Sequence, residues 1–430
     1  MVDAWSVLVS SLSTGDLLSE ADMCSPDSMI VDLVDCFALV ADPRDQRWVV
    51  HPAAAVLTLC AGAVVAGMRS FTAIAGWVAD TPPGLLTQVY HQCGKPALAP
   101  SKGTIWQVVT RADAASVDAA VGAWLAGRAG IDITIAAPGR PGHPWPETAH
   151  QPGCRGQATE DEATEDEAQP LVWLAVDGKR VRGAVDADGN AAHLLAAATH
   201  QQGLVLAQID VHHKTNEIPM FAPLLDTLNI AGMLITADCL HTQRKHACYV
   251  YEHDADFVFC VKDNQPNLFD ALDVLAWRDV PITHTTTDRG HGRIETRTLQ
   301  VMPAPPDLPF PHVAQVCLVE REVTDTRGTP LSNVAIFAVT SLNSTRGTPE
   351  LIAQAIRGQW KIEALHWIRD TIYREDDSTV HTKSGPRVMA ALRNLAIGAL
   401  RLAGRHDIAE ATRWANRNMQ RAFAILAITT

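Results

Sequence analysis

Several absences narrow what this chain can be. Its nine cysteines include no CxxC pair and no CxxC…HxxxH arrangement. That pattern excludes a zinc ribbon and a disulfide-stapled secreted domain, and fits a reducing compartment. No basic n-region with a cleavage site opens the sequence, so no secretory signal is expected, and the expected location is cytoplasmic, beside the nucleoid. There is also no apolar run of membrane length. Residues 53–68 carry no charge, but Arg69 ends the run short of the ~20 residues a span requires, which predicts a buried helix and no membrane partner.

A basic excess is missing too. Lys and Arg number 35 against 48 Asp and Glu, for a formal charge of -13. Such a balance would be unusual for a nucleic-acid binder, because phosphate contacts come from Lys and Arg. The distribution changes the picture. Residues 1–41 hold seven acids and no Lys or Arg, and residues 160–167 hold six more acids, which accounts for the whole excess. Residues 380–430 instead carry Lys383, Arg387, Arg393, Arg401, Arg405, Arg413, Arg417 and Arg421 against Asp407 and Glu410. This tail is a candidate phosphate-facing surface.

At 430 residues the chain should form two or three units. Ala-rich segments with helical spacing, such as 70–79 and 114–125, predict a small all-helical N-terminal domain over 1–136. Ser101 is placed to cap a helix over 102–111, which with a helix over 71–80 would make a helix-turn-helix; an ordinary bundle is the alternative. Residues 137–170 combine Pro and Gly with a tandem ATEDE repeat and read as a disordered linker. Beyond it the pattern becomes strand-like: 171–176 ending at Asp177, then 193–199 and 203–211, a helix over 215–228, a strand over 232–237 ending at Asp238, a helix over 242–253 and a strand over 256–262. The order β-β-β-α-β-α-β is that of a ribonuclease H-like α/β domain, expected over 171–274 and 346–405. A β-rich insertion fills 275–345 and a basic tail 406–430. In a helical stretch over 347–370, Ile352, Ile356, Trp360, Glu363 and Trp367 recur every three or four residues, which predicts an inward face for Glu363.

A carboxylate on a buried helix face is costly unless paired or metal-bound. Mg²⁺, with Mn²⁺ as its substitute, prefers carboxylate oxygens, and two such ions can clamp the attacking and leaving oxygens of a phosphodiester. Each residue also has a plainer reading. Asp177 precedes Gly178 as in a common turn, Asp238 could cap the next helix, and Glu363 could pair with Arg357 or Arg369. Glu375 and Asp376 read as a cap or turn pair. His212 and His213 read as strand-edge residues, with no Cys or His partner at metal spacing.

In order along the chain stand DPRD (42–45), SFTAIAGWVAD (70–80), VDGKRVRGA (176–184), KTNEIP (214–219), TADCLHTQ (236–243), VKDNQP (261–266), HGRIETR (291–297) and RGQWKIEALHWIRD (357–370). In these blocks the sequence resembles the DDE transposases of prokaryotic insertion sequences, in the ISAs or H-repeat-associated group. The resemblance implies a catalytic, metal-binding triad of Asp177, Asp238 and Glu363 with two Mg²⁺ ions. It also implies cleavage at insertion-sequence ends and transfer of the 3′-hydroxyl into target DNA. The partners would be terminal inverted repeats and target DNA, with a homodimer on paired ends. Where the wider clade has Tyr, Arg and Lys around the glutamate, this chain has Ile356, Gln359 and Asp370, with Arg357, Lys361 and Arg369 nearby. Lys179, Lys262, Asn264 and His291 are further candidates for holding DNA phosphates, with surface solvation as the plainer role. Two other functions fit the same fold: a DNA-binding element product without chemistry, and a structure-selective nuclease.

Overall fold

The computed structural model describes residues 32–135 and 172–428, except 46, 48, 92, 213, 214 and 291. The expected linker over 137–170, most of the acidic opening, His213 and His291 lie outside the described residues. The chain forms two compact units, one of Met1–His143, Gly178–Asn229 and Glu363–Thr430, the other of Pro144–Asp177 and Ile230–Ile362.

In the first unit, every residue of the helix Ala53–Val65 is buried, because the helices Leu33–Ala38, Lys102–Arg111 and Gly385–Leu402 pack around it. No helix among the described residues is long and apolar enough to cross a membrane. The helices Phe71–Ala79 and Lys102–Arg111 form as expected, and Ser101 caps the second by accepting from the Thr104 amide. A third helix, Pro83–His91, occupies the connection between them, so the simple turn of a helix-turn-helix is replaced by a full element.

The described part of the expected basic tail, 406–428, is largely helical. It makes the helices Ile408–Asn416 and Met419–Ile425, and the Phe423 ring lies 5.7 Å from that of Trp77. Several of the cations assigned to a phosphate-facing surface are instead used internally. Arg387 donates to Asp118 at 2.6 Å and to Asp210 at 2.9 Å. Arg393 is 1 % exposed and holds Glu375, while Arg405 and Arg421 lie over the Trp414 ring at 3.4 and 4.7 Å. Their partners come from distant segments, which charge counting along the sequence does not register.

The strands of this unit are β1 (Trp173–Val185, from Gly178 onward), β2 (Ala191–Thr199) and β3 (Val205–Asp210), ordered β3-β2-β1. The helix Ala114–Arg128 contacts β3. A Cβ at Gly122 would sit 2.1 Å from the Leu206 carbonyl oxygen, so only glycine permits this approach. The helix expected over 215–228 is reduced to Phe221–Leu225 after a short 3-10 turn.

The second unit contains the first five residues of β1, then β4 (Leu234–Ala237), β5 (Asp256–Val261), β6 (Ile282–Gly290), β7 (Arg293–Pro303), β8 (Gln315–Asp325) and β9 (Pro330–Thr340). They form a mixed sheet ordered β1-β4-β5-β9-β8-β7-β6. β1, β4 and β5 are parallel, and the other pairings are antiparallel. The residues expected as an insertion therefore extend the central sheet, since β9 pairs directly with β5. The helix Pro349–Gly358 packs Ala355, Leu351 and Ile356 against Leu234 of β4 and Val258 of β5.

Candidate active site

The parallel strands β1 and β4 have continuous buried cores, Leu174–Ala175–Val176 and Leu234 to Ala237, as expected of strands covered on both faces. Their register pairs Val176 with Ala237. The next residue on each strand is an aspartate, Asp177 and Asp238, so the two carboxylates stand at adjoining positions on strands roughly 4.8 Å apart. Asp177 is half-buried and Asp238 exposed.

β1 does not end at Asp177, as the sequence suggested. It continues to Val185, with Lys179, Val181 and Ala184 buried and Arg180 and Arg182 exposed.

After Asp238 the chain makes a 3-10 turn over Cys239–His241, which the Asp238 side chain caps by accepting from the Leu240 and His241 amides at 3.0 and 3.4 Å. The turn is pinned from outside. Asn264 donates to the Cys239 carbonyl at 2.6 Å, and the Thr242 hydroxyl donates to the Cys260 carbonyl. The Cys260 thiol, by hydrogen bonding, holds the Cys239 thiol below its ordinary range, and its own is pushed well above.

Glu363 departs from expectation. The helical stretch is broken at Gln359 into Pro349–Gly358 and Trp360–Thr371. The buried positions Ile352, Ala355, Gln359, Ile362, Leu365 and Arg369 recur every three or four residues across this point and form the inward face, while Glu363 is exposed, as are Trp360 and Trp367 at 46 % and 63 %. The argument that burial of Glu363 requires a cation therefore lapses. Glu363 begins the Glu363–Thr430 segment of the first unit, whereas Asp177 and Asp238 lie in the second.

The cationic candidates separate by burial. Lys179 is 7 % exposed, with its ammonium 2.6 Å from Asp370 and 3.7 Å from Asp376. Arg369 is fully buried and donates to Glu375 at 2.7 Å, and Arg393 reaches the other oxygen of that carboxylate at 2.8 Å. Glu375 opens a 3-10 turn over Glu375–Asp377, as expected, and is also the buried anion of this cluster. Burial alone would raise its carboxyl, but Arg369 and Arg393 outweigh burial and bring it down to about 2. Lys262, Lys361 and Arg357 are exposed, with Arg357 2.8 Å from Asp288.

Gln359, noted in the sequence only as standing where the wider clade has Arg, has a role there that motif reading did not give it. Its side chain is buried and bonds both aspartate-bearing strands. The helix break that places it there has no sequence signal beyond Gly358.

Carboxylate oxygens at two adjoining strand positions suit a hard divalent cation. Among the described residues no three or more His, Cys, Asp or Glu side chains group as a metal-holding set; the adjoining donors are the two aspartates.

The DDE_Tnp_1-associated family matches residues 34–125, and the Transposase DDE domain family matches residues 170–398, more than half of the chain. The "H repeat-associated putative transposase YhhI" of Escherichia coli K12 is 27 % identical over 247 residues, covering 53 % of this chain and 63 % of the relative. An "Uncharacterized protein in dhlA 3'region" of Xanthobacter autotrophicus is 28 % identical over 272 residues, covering 62 % of this chain and 78 % of its own length. The chain thus spans less than two thirds of the length of the Escherichia coli relative. A piggyBac transposase in a synaptic complex with hairpin DNA aligns over 94 % of this chain and 82 % of its own at TM-score 0.39 and 9 % identity, a likeness too low to argue from. By the extent of the second family match, the chain belongs to the Transposase DDE domain family.

Proposed function

We propose that this chain is a DNA transposase with a ribonuclease H-like catalytic domain, which nicks the ends of its insertion sequence and joins the freed 3′-hydroxyl to target DNA. The observation that carries this reading is the pairing of Val176 with Ala237, which sets Asp177 beside Asp238 at the edge of a buried parallel core. Family membership supplies the reaction class.

Asp177 and Asp238, with Glu363 as the third carboxylate, would hold two Mg²⁺ ions. Bound there, the ions supply Lewis-acid stabilisation and a nucleophilic water or 3′-hydroxyl. The protein's own contribution is orientation. The cap that Asp238 places on its turn and the Asn264 bond to Cys239 fix the direction of one carboxylate. Exposed Lys262, Lys361 and Arg357 would meet DNA phosphates, Arg357 by exchanging Asp288 for a phosphate oxygen. Paired ends imply two copies acting together.

The test uses purified protein with Mg²⁺ and DNA carrying the element's terminal repeats or a scrambled control. Wild type should nick only the cognate ends, while Asp177→Ala and Asp238→Ala should bind without cutting. Identical behaviour of wild type and Asp177→Ala overturns the reading, and equal cutting of scrambled DNA indicates a structure-selective nuclease. A second reading, a DNA-binding element product without chemistry, draws on Ile356, Gln359 and Asp370 standing where the wider clade has Tyr, Arg and Lys. It predicts equal binding by all variants and cutting by none.

A further inference from the structure

Directly behind the two aspartates, one side chain connects the strands that carry them. Gln359 is 7 % exposed. Its amide nitrogen donates to the Val176 carbonyl at 3.0 Å, and Val176 immediately precedes Asp177 on β1. Its amide oxygen accepts from the Thr236 hydroxyl at 2.5 Å, and Thr236 lies two residues before Asp238 on β4. Thr236 is 1 % exposed and reaches the Leu174 carbonyl at 3.5 Å. The Gln359 backbone forms the joint between the helices Pro349–Gly358 and Trp360–Thr371. Its amide closes the first on the Ala355 carbonyl, and its carbonyl accepts from Ile362 in the second.

We infer that Gln359 is a positioning residue for the aspartate pair: its side-chain amide ties β1 at Val176 to β4 at Thr236 and both to the helix joint, setting the spacing at which Asp177 and Asp238 present their oxygens to a divalent cation. This rests on the reading of those aspartates as metal ligands. Val176 is bonded through its backbone and Thr236 through its hydroxyl, so a buried amide with one donor and one acceptor in use is the chemistry the position requires. An apolar residue of the same size would leave the Thr236 hydroxyl without that acceptor, in a place water does not reach. Residues that orient ligands without touching the metal commonly change affinity by about 10- to 100-fold.

The test is Mn²⁺ binding to the full-length protein, followed by calorimetry and by the electron paramagnetic resonance of free Mn²⁺, with metal-free gel shifts and thermal melting as controls. Asp177→Ala should lose binding. Gln359→Leu should weaken it about tenfold while metal-free DNA binding stays unchanged. Thr236→Val, which removes one hydroxyl and keeps the volume, should weaken it less. Because the two residues share a bond, the double variant should lose less than the product of the two single effects. Should Gln359→Leu fail to fold, Thr236→Val carries the test alone. Wild-type Mn²⁺ affinity in the Gln359 and Thr236 variants, with loss in Asp177→Ala, overturns the positioning role and leaves the metal-site reading standing. Wild-type affinity in Asp177→Ala overturns both.

Discussion

The ammonium of Lys179 lies 2.6 Å from the carboxylate of Asp370, joining residues 191 positions apart in the sequence. The lysine is 7 % exposed and the aspartate 32 %, so only the lysine end is desolvated. Lys179→Met leaves a carboxylate that water still reaches in part, and should cost about 1–3 kcal/mol. Asp370→Leu leaves a buried ammonium with only the longer pair to Asp376, at 3.7 Å, and should cost more. Urea unfolding of the two single variants and the double should show a coupling of about 0.5–3 kcal/mol. Strict additivity would mean that the pair contributes no interaction.

Glu375 makes stability acid-sensitive in a defined window. Its folded-state value of about 2 lies below the ordinary 4.5 because Arg369 and Arg393 outweigh the loss of water around the buried carboxylate. A depressed carboxyl contributes stability that is present above the unfolded value and is lost as pH falls toward the folded one. Unfolding free energy should therefore drop between about pH 4.5 and pH 2. Glu375→Gln should lower stability at neutral pH and flatten this part of the profile, and an unchanged acid profile in that variant would refute the assignment.

Glu363 is exposed, so its substitution should separate chemistry from folding. Glu363→Gln is expected to change unfolding free energy by no more than about 1 kcal/mol, the scale of an exposed polar pairing. The same change should reduce cleavage of cognate ends by more than about a hundredfold, the scale on which an oriented charge at a reacting centre acts. A large loss of stability would show that the side chain serves packing.

Gly122 tests helix-to-strand packing. Gly122→Ala places a methyl 2.1 Å from the Leu206 carbonyl oxygen, and backbone cannot yield as a flexible side chain does. The helix Ala114–Arg128 must move off β3, at about 1–3 kcal/mol. Thermal melting measures this directly, and an unchanged midpoint would contradict the close approach.

The parts of the fold legible in the sequence are those whose cause is local. The apolar runs that became β4 and β5, the uncharged helix over 53–65 and the Ser101 cap all announce themselves within a few residues. The adjacency of Asp177 and Asp238 followed from strand order. What was illegible depends on distant partners. Arg387 looks like a surface cation until Asp118, 269 residues away, takes its guanidinium. β1 runs past Asp177 through a polar stretch in which the buried Lys179 is met by Asp370, 191 residues on. The inward face assigned to Glu363 passes through Trp360 and Trp367, which are exposed, whereas the buried face runs through Gln359, Ile362 and Arg369.

The pairing of β5 with β9 also governs when the sheet can close. Val258 is matched with Thr340, so β5 waits for a partner made some eighty residues later, and such long-range pairing forms slowly. During synthesis, β5 emerges with one side unpaired. A copy of the gene shortened within the region encoding 275–345 would keep both aspartates yet leave that side open as a sticky template. Deletion derivatives of this element should therefore be cleared or aggregate, rather than persist as soluble DNA-binding competitors of the full-length protein.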